Sequence, residues 1–218
     1  ENTAVCSLTL VDRRTGFPGA TVVTKKGSVA FVVSMVCQFL KRLRRNKIIV
    51  RGDGEYALQS LLKVVADRMQ LQGYDISLQG PRGVASHQSI GGAEKKHDTL
   101  AGVIRTWVSH IDDKTGYKVA PNTRLFAWLV RYAAYLDGHW RIRKDGVTSF
   151  RALNGHDCKD ELCEFGEVVQ FRLAELIGKA YPRWLKGIWV GINEENRMHI
   201  VLTESGWESV RSVSRLIE

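Results

Sequence analysis

Two carboxylates stand where this sequence could handle a hard cation. Asp53 sits in Arg51-Gly52-Asp53-Gly54-Glu55, directly after the apolar run Lys47-Ile48-Ile49-Val50. That run reads as a short buried strand, parallel to a neighbour, and open α/β sheets place their ligand-handling groups at the carboxyl ends of such strands. Glycines on both sides of Asp53 would let a ligand or metal approach closely; the alternative is an ordinary strand-to-helix turn capped by Asp53. Glu94 opens a stretch in which His97, Leu100, Ala101, Ile104, Trp107, Val108 and Ile111 recur at three- and four-residue steps, one face of a helix. Glu94 falls near that inward face, in the expected first turn. There it either favours its own helix through the dipole or points a metal-binding carboxylate into a site. Lys95 and Lys96 are expected to turn toward solvent, where they would meet phosphates. Between Asp53 and Glu94 lie 40 residues.

Those two groups need elements to hold them. Val5–Val11 reads as a strand ending in the polar turn 12–16, and Gly19–Thr24 as its hairpin partner. Ser28 is the expected N-cap of a helix to about Arg45, with Val29, Val32, Val33, Val36, Leu40 and Leu43 inward. Its basic last turn suits a helix C-terminus. After the Asp53 strand, a helix is predicted over Tyr56–Leu71, ended by Gly73. Asp75–Leu78 reads as a short strand, 79–86 as a glycine- and proline-containing loop, and Val84–Glu94 as a polar approach to the long helix. A further helix spans Thr123–Leu136, with Trp128, Arg131 and Tyr135 off its apolar stripe. His139–Glu161 reads as an irregular linker. Short strands follow at Val168–Leu173, Trp184–Ile192, Arg197–Thr203 and Trp207–Val213, a spacing that suggests a small barrel.

The whole chain sets bounds. Its 218 residues, 44% hydrophobic and 25% charged, have room for a packed core in one large domain or two modest ones. A net charge of +9 favours a polyanionic partner. Four scattered cysteines fit reduced thiols in an intracellular protein. His156, Cys158 and Cys163, with His139, form a weaker zinc reading that wants a ligand at sensible spacing. The longest apolar run, Val29–Leu40, is too short to span a bilayer, and no signal peptide is visible, so no membrane partner is expected.

The order of hairpin, helix, strand with Asp53, helix, then a helix carrying Glu94 resembles the ribonuclease-H-like core of retroviral-type integrases, most closely those of copia-type LTR retrotransposon polyproteins. Arg51-Gly52-Asp53-Gly54-Glu55-Tyr56 looks like that family's aspartate–glycine motif. Ser86-His87-Gln88-Ser89-Ile90-Gly91-Gly92-Ala93-Glu94 looks like its loop leading to the catalytic glutamate, with Ile90 in place of the usual asparagine. Trp184-Leu185-Lys186-Gly187-Ile188-Trp189-Val190-Gly191 resembles the small barrel that follows. The resemblance spans nearly the whole chain. It implies an α/β fold: a ribonuclease-H-like mixed sheet flanked by helices at 1–137, its first strand truncated, a linker at 138–161, and an SH3-like barrel at 162–218.

The implied activity is DNA integration, with 3′-end cutting followed by strand transfer. Asp53 and Glu94 would be catalytic as ligands of Mg2+ or Mn2+, two ions in the complete site. Gln88, Ser89, Lys95 and Lys96 would lie near DNA, and Arg172, Arg183 and Lys186 would meet backbone phosphates. Trp184 and Trp189 are expected in the core. The implied partners are element ends, target duplex and further copies of the chain, with action in the nucleus. The family's first aspartate falls upstream of Glu1, and Asp12 is the one substitute in view, in a turn. A non-catalytic nucleic-acid-binding module is therefore a second reading, and an assembly role a third.

Overall fold

The computed structural model describes residues 5–23, 27, 29–80, 86–172 and 182–216. Strands β1 (Cys6–Val11) and β2 (Pro18–Val23) form an antiparallel hairpin. Helix α1 (Ala30–Arg42) follows, then β3 (Lys47–Arg51), α2 (Tyr56–Gln70) and β4 (Asp75–Gln79). Strands β3 and β4 pair in parallel, Lys47 with Asp75 through Arg51 with Gln79, as the apolar run at 47–50 implied. Helix α1 begins one residue later than a Ser28 cap would have it: Val29 holds the N-cap position without a capping bond, and Ser28 lies outside the described residues. Val29 itself is exposed, while Cys37 and Phe39 join the buried face.

One core gathers this half. Val32, Val33, Val36 and Leu40 of α1 meet Leu61, Val65 and Met69 of α2, with Ile48 and Ile76 beneath and Leu8, Leu10 and Val50 at the margin. Both strand pairs thus lie on the same two helices. Yet β1 pairs only with β2 and β3 only with β4 among the described strands, so each pair keeps a free edge.

Helix α3 (Ser86–Thr115) is long, and α4 (Arg124–His139) starts at Thr123, whose hydroxyl accepts from Phe126 N. The glycine-containing stretch 86–92, expected as a loop, is helical. Helix α4 is buried on two sides. Ala20 of β2 sits with Val130 and Ala134, and a Cβ at Gly138 would lie 2.9 Å from Pro18 Cδ, so only glycine permits that approach. The opposite side carries Leu129, Tyr132 and Tyr135 into a second core with Phe165, Trp189 and Val201. Tyr135 was expected off the apolar stripe. It is buried because a second surface covers the helix.

That surface is a five-stranded antiparallel sheet of β5 (Val168–Arg172), β6 (Trp184–Ile192), β7 (His199–Thr203), β8 (Gly206–Val210) and β9 (Val213–Arg215), in the order β8-β7-β6-β5-β9. The predicted last strand is two, broken at Arg211–Ser212. No ladder joins β8 to β9 among the described residues, so the sheet is open where a barrel was expected. A short helix, α5 (Ser149–Asn154), and a bridge between Ile142 and Thr148 lie in the segment read as a linker. This segment is packed: Phe150 rests against His139, Tyr135 donates to Asp160, and Arg143 donates to Thr15 O at 2.8 Å. Among the described residues no helix is long and apolar enough to cross a membrane.

Candidate functional site

Because β3 and β4 run in parallel, their carboxyl ends lie together, and Arg51 Nε donates to Gln79 Oε1 at 2.7 Å across them. Asp53 leaves the sheet at this end, two residues after β3. The chain leading from β4 to α3 departs from the same end. Asp53 is exposed. Its Oδ1 accepts from Glu55 N at 2.9 Å, an Asx turn that presents the carboxylate outward, and its carbonyl accepts from Gln59 Nε2. Gly52 has a different task from the one its sequence suggests. A Cβ there would lie 2.9 Å from both Leu58 Cδ2 and Leu62 Cδ1, so the bare backbone admits α2's leucines and not a ligand.

Glu94 lies on α3 beyond its second turn, not in its first. The dipole of that terminus therefore reaches it weakly. Its side chain is exposed and makes no hydrogen bond or ion pair among the described residues, where an inward-facing position was expected. One turn further, His97 Nδ1 meets Thr9 Oγ1 of β1 at 3.0 Å, and Leu100 is buried against β2 and α4. Glu94 thus stands at the margin of the contact that seats α3 on the hairpin. Lys95 is exposed. Lys96 is not the phosphate-facing residue expected: its ammonium bonds Asp137 of α4, and the two side chains are 19% and 1% exposed. Arg141 adds a second contact to Asp137 at 3.3 Å. The signal was present in the spacing, since Lys96 precedes Leu100 by four and Asp137 follows Ala133 by four, each on the buried stripe of its helix. Gln88 and Ser89 belong to α3, and their side chains lie outside the described residues.

Asp12, the substitute carboxylate, is committed elsewhere. It is buried in the hairpin turn, accepts from Thr15 Oγ1 at 2.6 Å and from Thr15 N at 3.1 Å, and takes both Arg45 nitrogens at 2.9 and 3.0 Å. Burial alone would raise the Asp12 carboxyl's pKa, but the bonds from Arg45 and Thr15 outweigh it and hold the pKa below the ordinary value. Asp53 and Glu94 fit the donor chemistry of a hard divalent cation. Among the described residues no group of three or more His, Cys, Asp and Glu side chains converges as a metal set. The zinc reading fares no better: His139 Nδ1 bonds Tyr135 O at 2.8 Å, and burial raises the Cys163 thiol to about 11.

In and beside the open sheet, Arg172, Arg183 and Lys186 are all exposed and without ion pairs among the described residues. Gln170 pairs with Lys186 and Arg172 with Trp184, so Arg172, Lys186 and Trp184 share one face. Trp189 is fully buried, as expected; Trp184 is 43% exposed and is not core.

No family model matches the sequence, and no curated protein does. Solved structures do. One chain of the simian T-cell lymphotropic virus intasome, determined by cryo-electron microscopy in complex with PP2A regulatory subunit B56 gamma, matches 100% of this chain over 74% of its own, at 14% identity and a TM-score of 0.54. The HTLV-2 integrase catalytic core domain in complex with magnesium matches 69% of this chain and 85% of its own, at 14% identity and a TM-score of 0.48. The BIV integrase catalytic core domain matches 69% and 86%, at 12% and 0.48. At such identities the likeness is one of fold: this chain has an integrase-like, mixed α/β fold like that of the intasome chain.

Proposed function

We propose that this chain is the core and C-terminal part of a retroelement DNA integrase, an enzyme that trims 3′ ends of element DNA and joins them to target DNA. The observation that carries the reading is the pairing of an integrase-like fold with two exposed carboxylates, Asp53 and Glu94, that no cation among the described residues neutralises. Asp53 and Glu94 would hold Mg2+ or Mn2+. The ions, when bound, lower the pKa of the attacking hydroxyl and neutralise charge on the scissile phosphate. The chain's own part is to present both carboxylates outward, and to bring phosphates close through Lys95, Arg172, Arg183 and Lys186. Two ions repel each other, and two carboxylates hold one ion far better than two. A further carboxylate on a strand between the free edges of β1 and β3 would complete the set. Copia-type origin, self-assembly on DNA and action in the nucleus belong to the same reading.

Among the described residues no group of three or more acids, histidines or cysteines converges, which favours a second reading, a non-catalytic DNA-binding module with this fold. Joining of a pre-cut, labelled DNA end to plasmid in Mg2+ or Mn2+ separates the two. The chain itself is expected to be inactive. Supplied with a strand that brings a further carboxylate between β1 and β3, the extended chain is expected to join DNA and to lose joining in E94Q. An extended chain that binds DNA and never joins it would leave only the module.

A further inference from the structure

One face of the five-stranded sheet carries an apolar row in strict register, exposed except at Leu202, which packs against the core. Val168 pairs with Ile188, Ile188 with Leu202, and Leu202 with Trp207, so one side chain from each of β5, β6, β7 and β8 lines up across the sheet. Val168, Ile188 and Trp207 are exposed, Trp207 at 58%. Three strand spacings make the row about 14 Å long before curvature. At its β8 end Trp207 meets Trp128 of α4 edge-to-face, with centroids 6.3 Å apart, and the Arg131 guanidinium lies 4.8 Å over the Trp128 ring. Along the strands away from the row come Gln170 and Lys186, then Arg172 and Trp184. No strand position on this face is acidic, and neither Lys186 nor Arg172 has an ion-pair partner among the described residues.

We infer that this face binds single-stranded nucleic acid, with bases stacked on Trp207 and Trp184 and phosphates on Lys186 and Arg172. The inference does not depend on the carboxylates. Duplex DNA keeps its bases inside and offers such a face only phosphates, which leaves the apolar row in water. An unpaired strand offers both halves of what the face presents, π-faces for the tryptophans and charge for the cations. A twofold contact between copies fits less well. It would set Lys186 and Arg172 against like charges, with no carboxylate on the face to relieve them.

The test is fluorescence anisotropy with a labelled oligothymidine strand and, separately, a labelled duplex of the same length, on the whole chain with its fold checked by circular dichroism. W207A is expected to weaken single-strand binding about tenfold, the loss of one stacked base, and to change duplex binding less than twofold. W207F is expected to restore most of the affinity. K186A is expected to lower the slope of log affinity against log salt on the single strand by about 0.7. Equal losses on single strand and duplex, or no loss on either, would overturn the proposal. So would sedimentation showing that W207A splits an oligomer while nucleic-acid binding stays as it was, because the face would then be a contact between copies.

Discussion

Helix α3 carries charges of two kinds. Past its second turn, Glu94 is exposed with no partner among the described residues, and beyond β3 the exposed Asp53 carboxylate is bonded within its own turn. Two residues beyond Glu94, Lys96 dives against Asp137, and at the far end His110 and Lys114 both close on Glu164, the lysine at 2.9 Å. The second kind of charge fastens one element to another. A carboxylate clasped by a guanidinium or ammonium has few lone pairs left for a metal, so Asp12 and Asp137 are excluded as ligands by the bonds that make them stabilising. Asp53 and Glu94 qualify because the fold does not depend on them.

Substitution should separate the two kinds. In the extended, active chain, D53N and E94Q are expected to lower joining by about a thousandfold or more, or ~4 kcal/mol of barrier. Their unfolding free energies should stay within about 0.5 kcal/mol of the parent, as for other exposed positions. Loss of stability in step with loss of joining would erase the distinction.

The reverse result is expected at the clasp. K96M leaves the Asp137 carboxylate buried with only the half-exposed Arg141 beside it, and should cost about 3 kcal/mol in urea unfolding. K96M combined with D137L should recover most of that cost. A K96M protein as stable as the parent would mean that α3 is not fastened to α4 this way.

A smaller effect comes from His199. Burial lowers its pKa, and Trp189 Nε1 donates to its Nδ1 at 3.1 Å, a bond that only the neutral ring can accept. The folded protein therefore resists a proton that the unfolded chain takes up. Stability should be full above the ordinary histidine value near ~6.5 and fall as pH drops below it, by about 1 kcal/mol. H199Q should flatten that limb of a pH–melting curve. An unchanged limb would assign it to His139, whose pKa is also lowered by burial.

Much of this was legible in the residues. Helix α2 falls where periodicity put it because it buries one regular face, and strand β6 spans the expected residues although its last four are all buried around a bulge. The start of α3 was not legible: Gly91 and Gly92 lower helix propensity, and the helix forms regardless. Gly52 was misread because a glycine beside a carboxylate looks the same whether it clears room for a ligand or for Leu58 and Leu62. Trp184 and Trp207 could not be assigned to a face from sequence, since a strand shows its outer side only when its register is known. At the candidate site, the types and order of Asp53 and Glu94 were readable, while the diversion of Lys96 required knowing which helix lay opposite.

The free edges of β1 and β3 bear on how the chain behaves in a tube. An unpaired strand is a template for another strand, and proteins commonly blunt such edges with charge. Strand β3 carries Lys47 and Arg51 at its two ends, whereas β1, Cys-Ser-Leu-Thr-Leu-Val, carries no charge at all. Strand β1 is thus the segment through which concentrated protein should stick to itself, giving turbidity that grows with concentration and persists in salt. A lysine at Ser7 would be the first change for raising solubility, since Thr9 is held by His97.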